Sequence, residues 1–191
     1  MLDLTKPGSI ITPVVHDAIT AKIAERVGFE AVWVGGFAVA GATYGLPDVG
    51  LIGLSELLVA TKNIINAVNI PVLVDADGGY GNERNAAYTV SQLEKIGAAG
   101  CFLEDQRQPK RCGHMPGKEL ISEKEMVAKL RAANYPSDFI LCARTDAIAV
   151  EGFDSAISRA KAYVKAGANM IFVEAPENLE QLRQIPKSIT E

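Results

Sequence analysis

The sequence predicts an α/β protein built on a parallel sheet, and three observations carry that reading. Six short, continuously apolar runs recur along the chain, amphipathic stretches fall between them, and ionisable residues gather at the same end of nearly every run. The runs cover 10–15, 31–34, 70–74, 100–103, 140–143 and 170–173, and they are rich in Val, Ile and Phe. Short runs without polar alternation fit strands buried on both faces of a parallel sheet. The helical stretches cover 19–27, 55–67, 85–96, 123–133 and 155–166. Ser122 and Glu125 have the spacing of a capping box, so a helix is expected to start there. Gly28, Gly97 and Gly167 directly follow helical stretches, where a left-handed residue ends a helix. Gly97-Ala98 and Gly167-Ala168 each lead into a strand, and a further short helix is expected before Glu191. Six β/α units in series define the class, and both a barrel and a doubly wound sheet remain open. No Gly-x-Gly-x-x-Gly follows the first strand and no phosphate loop is present, which weighs against nucleotide binding.

Composition narrows the partners. With 48% hydrophobic and 22% charged residues the chain reads as an ordinary soluble domain. A net charge of −4 without a basic run argues against nucleic acid. No apolar stretch reaches the roughly 18 residues that a membrane helix needs. The segment 1–9 has no basic-then-apolar signal pattern. Cys101 and Cys142 lie inside apolar runs, as small hydrophobes do. The expectation is a cytoplasmic protein with reduced thiols.

The strand ends carry the chemistry. They read His16-Asp17, Gly35-Gly36, Asp75-Ala76-Asp77-Gly78-Gly79, Glu104-Asp105, Arg144-Thr145-Asp146 and Glu174. In a parallel barrel these ends form one face, where active sites are built. Asp75 and Asp77 are two apart, so on an extended backbone they point the same way. Two such carboxylates raise each other's pKa unless a cation neutralises them. Few oxygen ligands, with room for water and substrate, suit Mg²⁺ or Mn²⁺. A solvated acidic turn is the plainer account of that pair alone, and Glu104 on a neighbouring strand favours the metal. The loop Lys110-Arg111-Cys112-Gly113-His114 is the densest cationic cluster. Its cations would lower the Cys112 thiol pKa and make it an acid–base group. The plainer reading is an exposed loop with an incidental cysteine, and zinc lacks a second ligand pair. Arg144 ends an apolar strand, where a guanidinium forks onto a carboxylate, either a substrate's or that of Glu174. His16 receives no chemical role; Trp33 and Tyr44 read as packing residues, and either could line the pocket.

Taken together, the segments 44–48, 74–81, 103–106, 110–114, 143–146 and 173–175 resemble the isocitrate lyase / phosphoenolpyruvate mutase superfamily, and within it the 2-methylisocitrate lyase-like branch. The resemblance covers nearly the whole chain and implies a (β/α)8 barrel. It implies a Mg²⁺ site in which Asp75 and Asp77 are the metal aspartates, Asp48 and Glu104 act through water, and Mn²⁺ is a possible substitute. Cys112 matches a catalytic thiol, Gly113 its neighbour in substrate binding, and Arg144 and Glu174 substrate contacts at the catalytic centre. Gly35, Gly36 and Phe37 align with a Ser-Gly-Gly segment that grips a substrate carboxylate, although the Ser is missing and Phe37 replaces a small residue. The implied activity is cleavage of a small 2-hydroxy di- or tricarboxylic acid, with Mg²⁺ as Lewis acid and Cys112 protonating the departing enolate. An oxaloacetate hydrolase, a carboxyphosphonoenolpyruvate phosphonomutase and an inactive chain acting through binding are the alternatives. Such barrels have eight units in about 250 residues. Six are legible here, so residues 1–191 read as a single, incomplete barrel domain. A complete barrel of this branch implies a homotetramer.

Overall fold

The structure, a computed structural model, describes residues 8–113, 115–133 and 138–189. Its strands are β1 (Val14–Val15), β2 (Val32–Val34), β3 (Val72–Asp75), β4 (Gly100–Glu104), β5 (Ile140–Thr145) and β6 (Met170–Val173). They pair in parallel in the order β1-β2-β3-β4-β5-β6. A doubly wound sheet would reverse its order at a switch point. The unbroken order resolves the choice left open by the sequence in favour of barrel-type winding.

The helices are α1 (Ala18–Val27), α2 (Gly36–Val39), α3 (Leu54–Ile65), α4 (Glu83–Lys95), α5 (Glu123–Ala133), α6 (Ile148–Glu151), α7 (Phe153–Lys165) and α8 (Leu179–Ile189), with a π-helical turn at Ala40–Tyr44. The longer ones pack in succession, α1 on α3, α3 on α4, α4 on α5, α5 on α7 and α7 on α8. Among the described residues, no helix is long and apolar enough to cross a membrane.

Alternation along the strands divides the molecule. Val15, Val32, Val34, Val72, Val74, Cys101, Leu103, Leu141 and Ala143 join the main core with residues of the helices. Fully burying one such side chain stabilises by about 1.5–3 kcal/mol. The alternate positions, Val14, Trp33, Asp75, Phe102, Arg144 and Phe172, line a cavity on the sheet's other face.

The helix ends follow the sequence closely. Gly28, Gly97 and Gly167 have φ of 102°, 94° and 112°. Beyond two of them the backbone repeats itself. Ala98 N–H donates to Leu93 O and Ala168 N–H to Tyr163 O, then Ala99 and Asn169 donate into the preceding strand, to Val72 O and Leu141 O. The Ser122 box is present: Glu125 N–H donates to Ser122 Oγ (3.2 Å) and Ser122 N–H to Glu125 Oε2 (2.9 Å).

Some boundaries differ. The first strand is confined to Val14–Val15, because Pro13 has no N–H to give to a ladder. Strands β3, β4 and β5 run past their apolar stretches to Asp75, Glu104 and Thr145. The polar residues at their ends therefore stand on rigid strand backbone.

Candidate active site

The cavity at the strand ends has a volume of about 420 Å³ and is lined in part by Gly35, Phe37, Asp48, Asp75, Cys112, Gly113, Arg144 and Glu174. Gly36, Asp77 and Glu104 lie directly behind that wall. A methyl group on Gly36 would stand 3.1 Å from Asp75 Oδ2 and 3.6 Å from Asp77 Oδ1. The structure thus brings together Asp48, Asp75, Asp77, Glu104, Cys112, Arg144 and Glu174, while Arg111 turns away and His114 lies outside the described residues.

Asp75 closes β3 with both oxygens occupied. Gly36 N–H donates to Oδ2 and Asp77 N–H to Oδ1, each at 3.1 Å. Asp75 and Asp77 converge by a different route from the extended backbone expected. Asp77 has φ 48°, in the left-handed region that Asp tolerates, so a tight turn folds its carboxylate back beside its neighbour's. Lys129 Nζ donates to Gly78 O (2.7 Å) and fixes that turn from α5.

Lys110 enters the middle of the cluster. Its ammonium is paired with Asp77 and with Asp48 Oδ1 (2.7 Å for the latter). Burial works against that charge, but Asp75, Asp77 and Glu104 overcome it and hold the lysine firmly protonated. One ammonium does not satisfy so many carboxylates. Burial and then Asp75 push the Asp77 carboxyl up to about 6. Burial likewise raises Glu104 well above the usual carboxylate range, against the pull of Arg144 and Lys110. Glu104 Oε1 is buried without a hydrogen-bond partner.

Arg144 occupies the centre of the floor. Its Nε and Nη2 donate to Asp146 at 3.0 and 3.1 Å, Nη1 lies 3.3 Å from Glu104 Oε2, and Nε lies 3.7 Å from Glu174 Oε2. The guanidinium also lies near the Phe102 and Phe172 rings, with centroids 5.6 and 5.5 Å away. Register explains the grouping, since Glu104, Arg144 and Phe172 are side-by-side partners on β4, β5 and β6. Glu174 is therefore one of three carboxylates on Arg144 rather than its sole structural partner.

The loop 105–122 brings Cys112 and Gly113 over this floor. Cys112 is partly buried. The flanking cations have other partners: Lys110 is engaged by carboxylates, and Arg111 Nη1 donates to Pro116 O (3.4 Å). A methyl group on Gly113 would stand 2.6 Å from Arg144 Nη2 and 2.9 Å from Glu174 Oε1, so a larger residue would force these side chains to shift. Around β2, Gly36 N–H donates to Asp75 and Gly35 N–H to Val15 O (3.4 Å). Phe37 is 65% exposed at the rim.

Sequence reasoning missed the aromatic wall of Phe102 and Phe172; of the two aromatics offered as packing or pocket lining, Trp33 lines the cavity. An aromatic two residues before a strand-end carboxylate, as in Phe102/Glu104 and Phe172/Glu174, is the signal that would have found them. It also missed Lys118, Lys129 and the role of Asp146.

Among the described residues, no group of three or more His, Cys, Asp or Glu is arranged as a ready metal cage. The donor chemistry nevertheless fits a hard divalent ion. Mg²⁺ takes one or two carboxylates and completes its shell with water and substrate. The crowded carboxylates and the orphaned Glu104 oxygen call for more positive charge than Lys110 supplies.

The chain is 44% identical over 183 residues to a 2,3-dimethylmalate lyase of Eubacterium barkeri, covering 94% of this chain and 63% of that protein. It is 46% identical over 187 residues to a 2-methylisocitrate lyase of Aeropyrum pernix, covering 97% and 60%. The solved structure of an oxaloacetate acetylhydrolase with 3,3-difluorooxalacetate superposes with a TM-score of 0.93 at 32% identity, covering 97% of this chain and 65% of that one. The chain thus spans less than two thirds of these relatives. The family model described as phosphoenolpyruvate phosphomutase matches residues 1–191, and the chain belongs to that family, in the PEP mutase/isocitrate lyase superfamily.

Proposed function

We propose that this site cleaves a carbon–carbon bond in a small 2-hydroxy di- or tricarboxylic acid in a Mg²⁺-dependent reaction. The observation that carries the reading is the meeting, in one cavity, of the carboxylate cluster, the Arg144 guanidinium and the Cys112 thiol. Asp75 and Asp77 would hold Mg²⁺, with Asp48 and Glu104 reaching it through water. When bound, the ion supplies Lewis acidity to the oxygens of the hydroxy-acid end.

The chain's own groups then divide the remaining work. Arg144, fixed by Asp146 and Glu104, orients a substrate carboxylate. The substrate hydroxyl gives up its proton to a carboxylate of the cavity and becomes a carbonyl. The bond to the neighbouring carbon breaks, and its electron pair stays on that carbon, beside the second carboxylate. Cys112 delivers its thiol proton there, which is general-acid catalysis. Gly113 lets the loop lie close enough to exclude water from Arg144 and Glu174. A volume of about 420 Å³ suits a small organic acid. The apolar wall of Val14, Trp33, Phe102 and Phe172 favours an acid with an alkyl branch, the kind named for the two lyases above.

The structural likeness to the acetylhydrolase keeps a second reading, hydrolysis of oxaloacetate, in view. Substrate profiling separates the two. Release of a 2-oxo acid from branched 2-hydroxy acids is expected. Acetate and oxalate from oxaloacetate, with no cleavage of the hydroxy acids, would replace the lyase reading.

A further inference from the structure

Outside the cluster just described, the best-defined buried polar group is a lysine that the sequence did not single out. Lys118 leaves the loop 105–122 five residues after Gly113 and turns inward. Its side chain is 2% exposed, and that of its partner Asp146 is fully buried. Lys118 Nζ donates to Asp146 Oδ1 (2.7 Å) and to Gly113 O (2.6 Å). The same carboxylate accepts both hydrogen bonds from Arg144. One aspartate therefore fixes the arginine on the floor and, through Lys118, the carbonyl of the residue next to Cys112.

Asp146 is itself held from behind. Its N–H donates to Asp105 Oδ1 (2.9 Å). Asp105 Oδ2 in turn accepts from Thr145 Oγ1 (2.8 Å) and Tyr163 OH (2.7 Å). The chain of contacts runs from α7 through the ends of β4 and β5 to the loop, with one charged group at each joint. A buried ammonium needs acceptors on more than one side, and among the described residues the loop carbonyl is one of the two this lysine has. Loop and lysine therefore stay in place together.

We propose that Lys118 and Asp146 are positioning residues: they hold Gly113 and Cys112 against Arg144, so that the loop and the floor of the site share one anchor. The proposal rests on reading Cys112 and Arg144 as site groups, but its test needs no turnover.

The test is alkylation of the native protein by iodoacetamide, with the labelled cysteines identified by mass spectrometry. Cys101 and Cys142 are buried and serve as internal controls for the fold. Lys118→Met removes the tether while Arg144 remains on Asp146. Cys112 should then react at least about tenfold faster, the scale of one charge-assisted hydrogen bond, with Cys101 and Cys142 still unlabelled. Removing a cation by itself disfavours the thiolate and slows alkylation, so faster labelling reports a displaced loop. Lys118→Gln, which keeps a polar group beside Asp146, should give the same selective change in smaller measure. It decides the matter if the Met variant does not fold. An unchanged Cys112 rate in a folded variant, or labelling of all three cysteines together in Lys118→Gln, would overturn the positioning role. Failure of the wild type to cleave any hydroxy acid would instead overturn the functional reading and leave the labelling result standing.

Discussion

A methyl group is the smallest side chain beyond hydrogen, yet at Gly113 it would collide with both Arg144 and Glu174. That closeness places the neighbouring Cys112 on the wall of the cavity that Asp75 and Asp48 also line. If Cys112 is the acid, Cys112→Ser keeps the shape and replaces a thiol by a far weaker acid. Turnover should fall by at least about 100-fold, the usual scale of one general acid, with little change in KM. A serine enzyme within about tenfold of wild type, roughly 1.4 kcal/mol of barrier, would remove the thiol from the mechanism. Which residues were legible follows from contrast. Asp75, Glu104, Arg144 and Glu174 stand out because each is charged and ends an apolar run. Phe102 and Phe172 face the same cavity, but inside an apolar run only the carboxylate two residues on marks the face they take. Lys118 and Asp146 are single charges, and only the folded loop brings them together.

Helix α5 begins at the Ser122 box, and residues 122–125 of its first turn are exposed. Ser122→Ala removes the acceptor for Glu125 N–H and should cost about 1 kcal/mol. The urea midpoint should drop with its slope unchanged, and an unaltered midpoint would show that the cap contributes nothing there. The long helices and their glycine ends were legible because periodicity and capping are local. Helix α2 and the π-helical turn after it were not. Four residues containing a glycine show no 3.6-residue period, and the segment is held by Gly36 N–H reaching Asp75, thirty-nine positions away. Helix α6 escaped for the same reason of length. The pairing of Asp75 with Asp77 was foreseen, but the left-handed turn at Asp77 that achieves it depends on tertiary contacts.

The strand order required the whole molecule. Local runs identify strands, but only their pairing shows that the winding never reverses. Among the described residues, β1 and β6 each pair on one side only. Their cavity-facing side chains are correspondingly open, Val14 at 60% and Phe172 at 36%, and Ile19, Ile23 and Val27 are exposed along α1. Unpaired edges and apolar stripes of this kind template association. Residues 1–191 expressed alone are therefore expected to sediment as species larger than a monomer at micromolar concentration. A monodisperse monomer would show that these surfaces are satisfied without a partner. The central claim, that the strand-end carboxylates form a Mg²⁺ site for carbon–carbon cleavage, is tested most directly on the protein as its natural source makes it. The measurement is release of a 2-oxo acid from a branched 2-hydroxy acid, before and after EDTA and again after added Mg²⁺. The account predicts turnover that EDTA abolishes and Mg²⁺ restores; undiminished turnover in EDTA would contradict it.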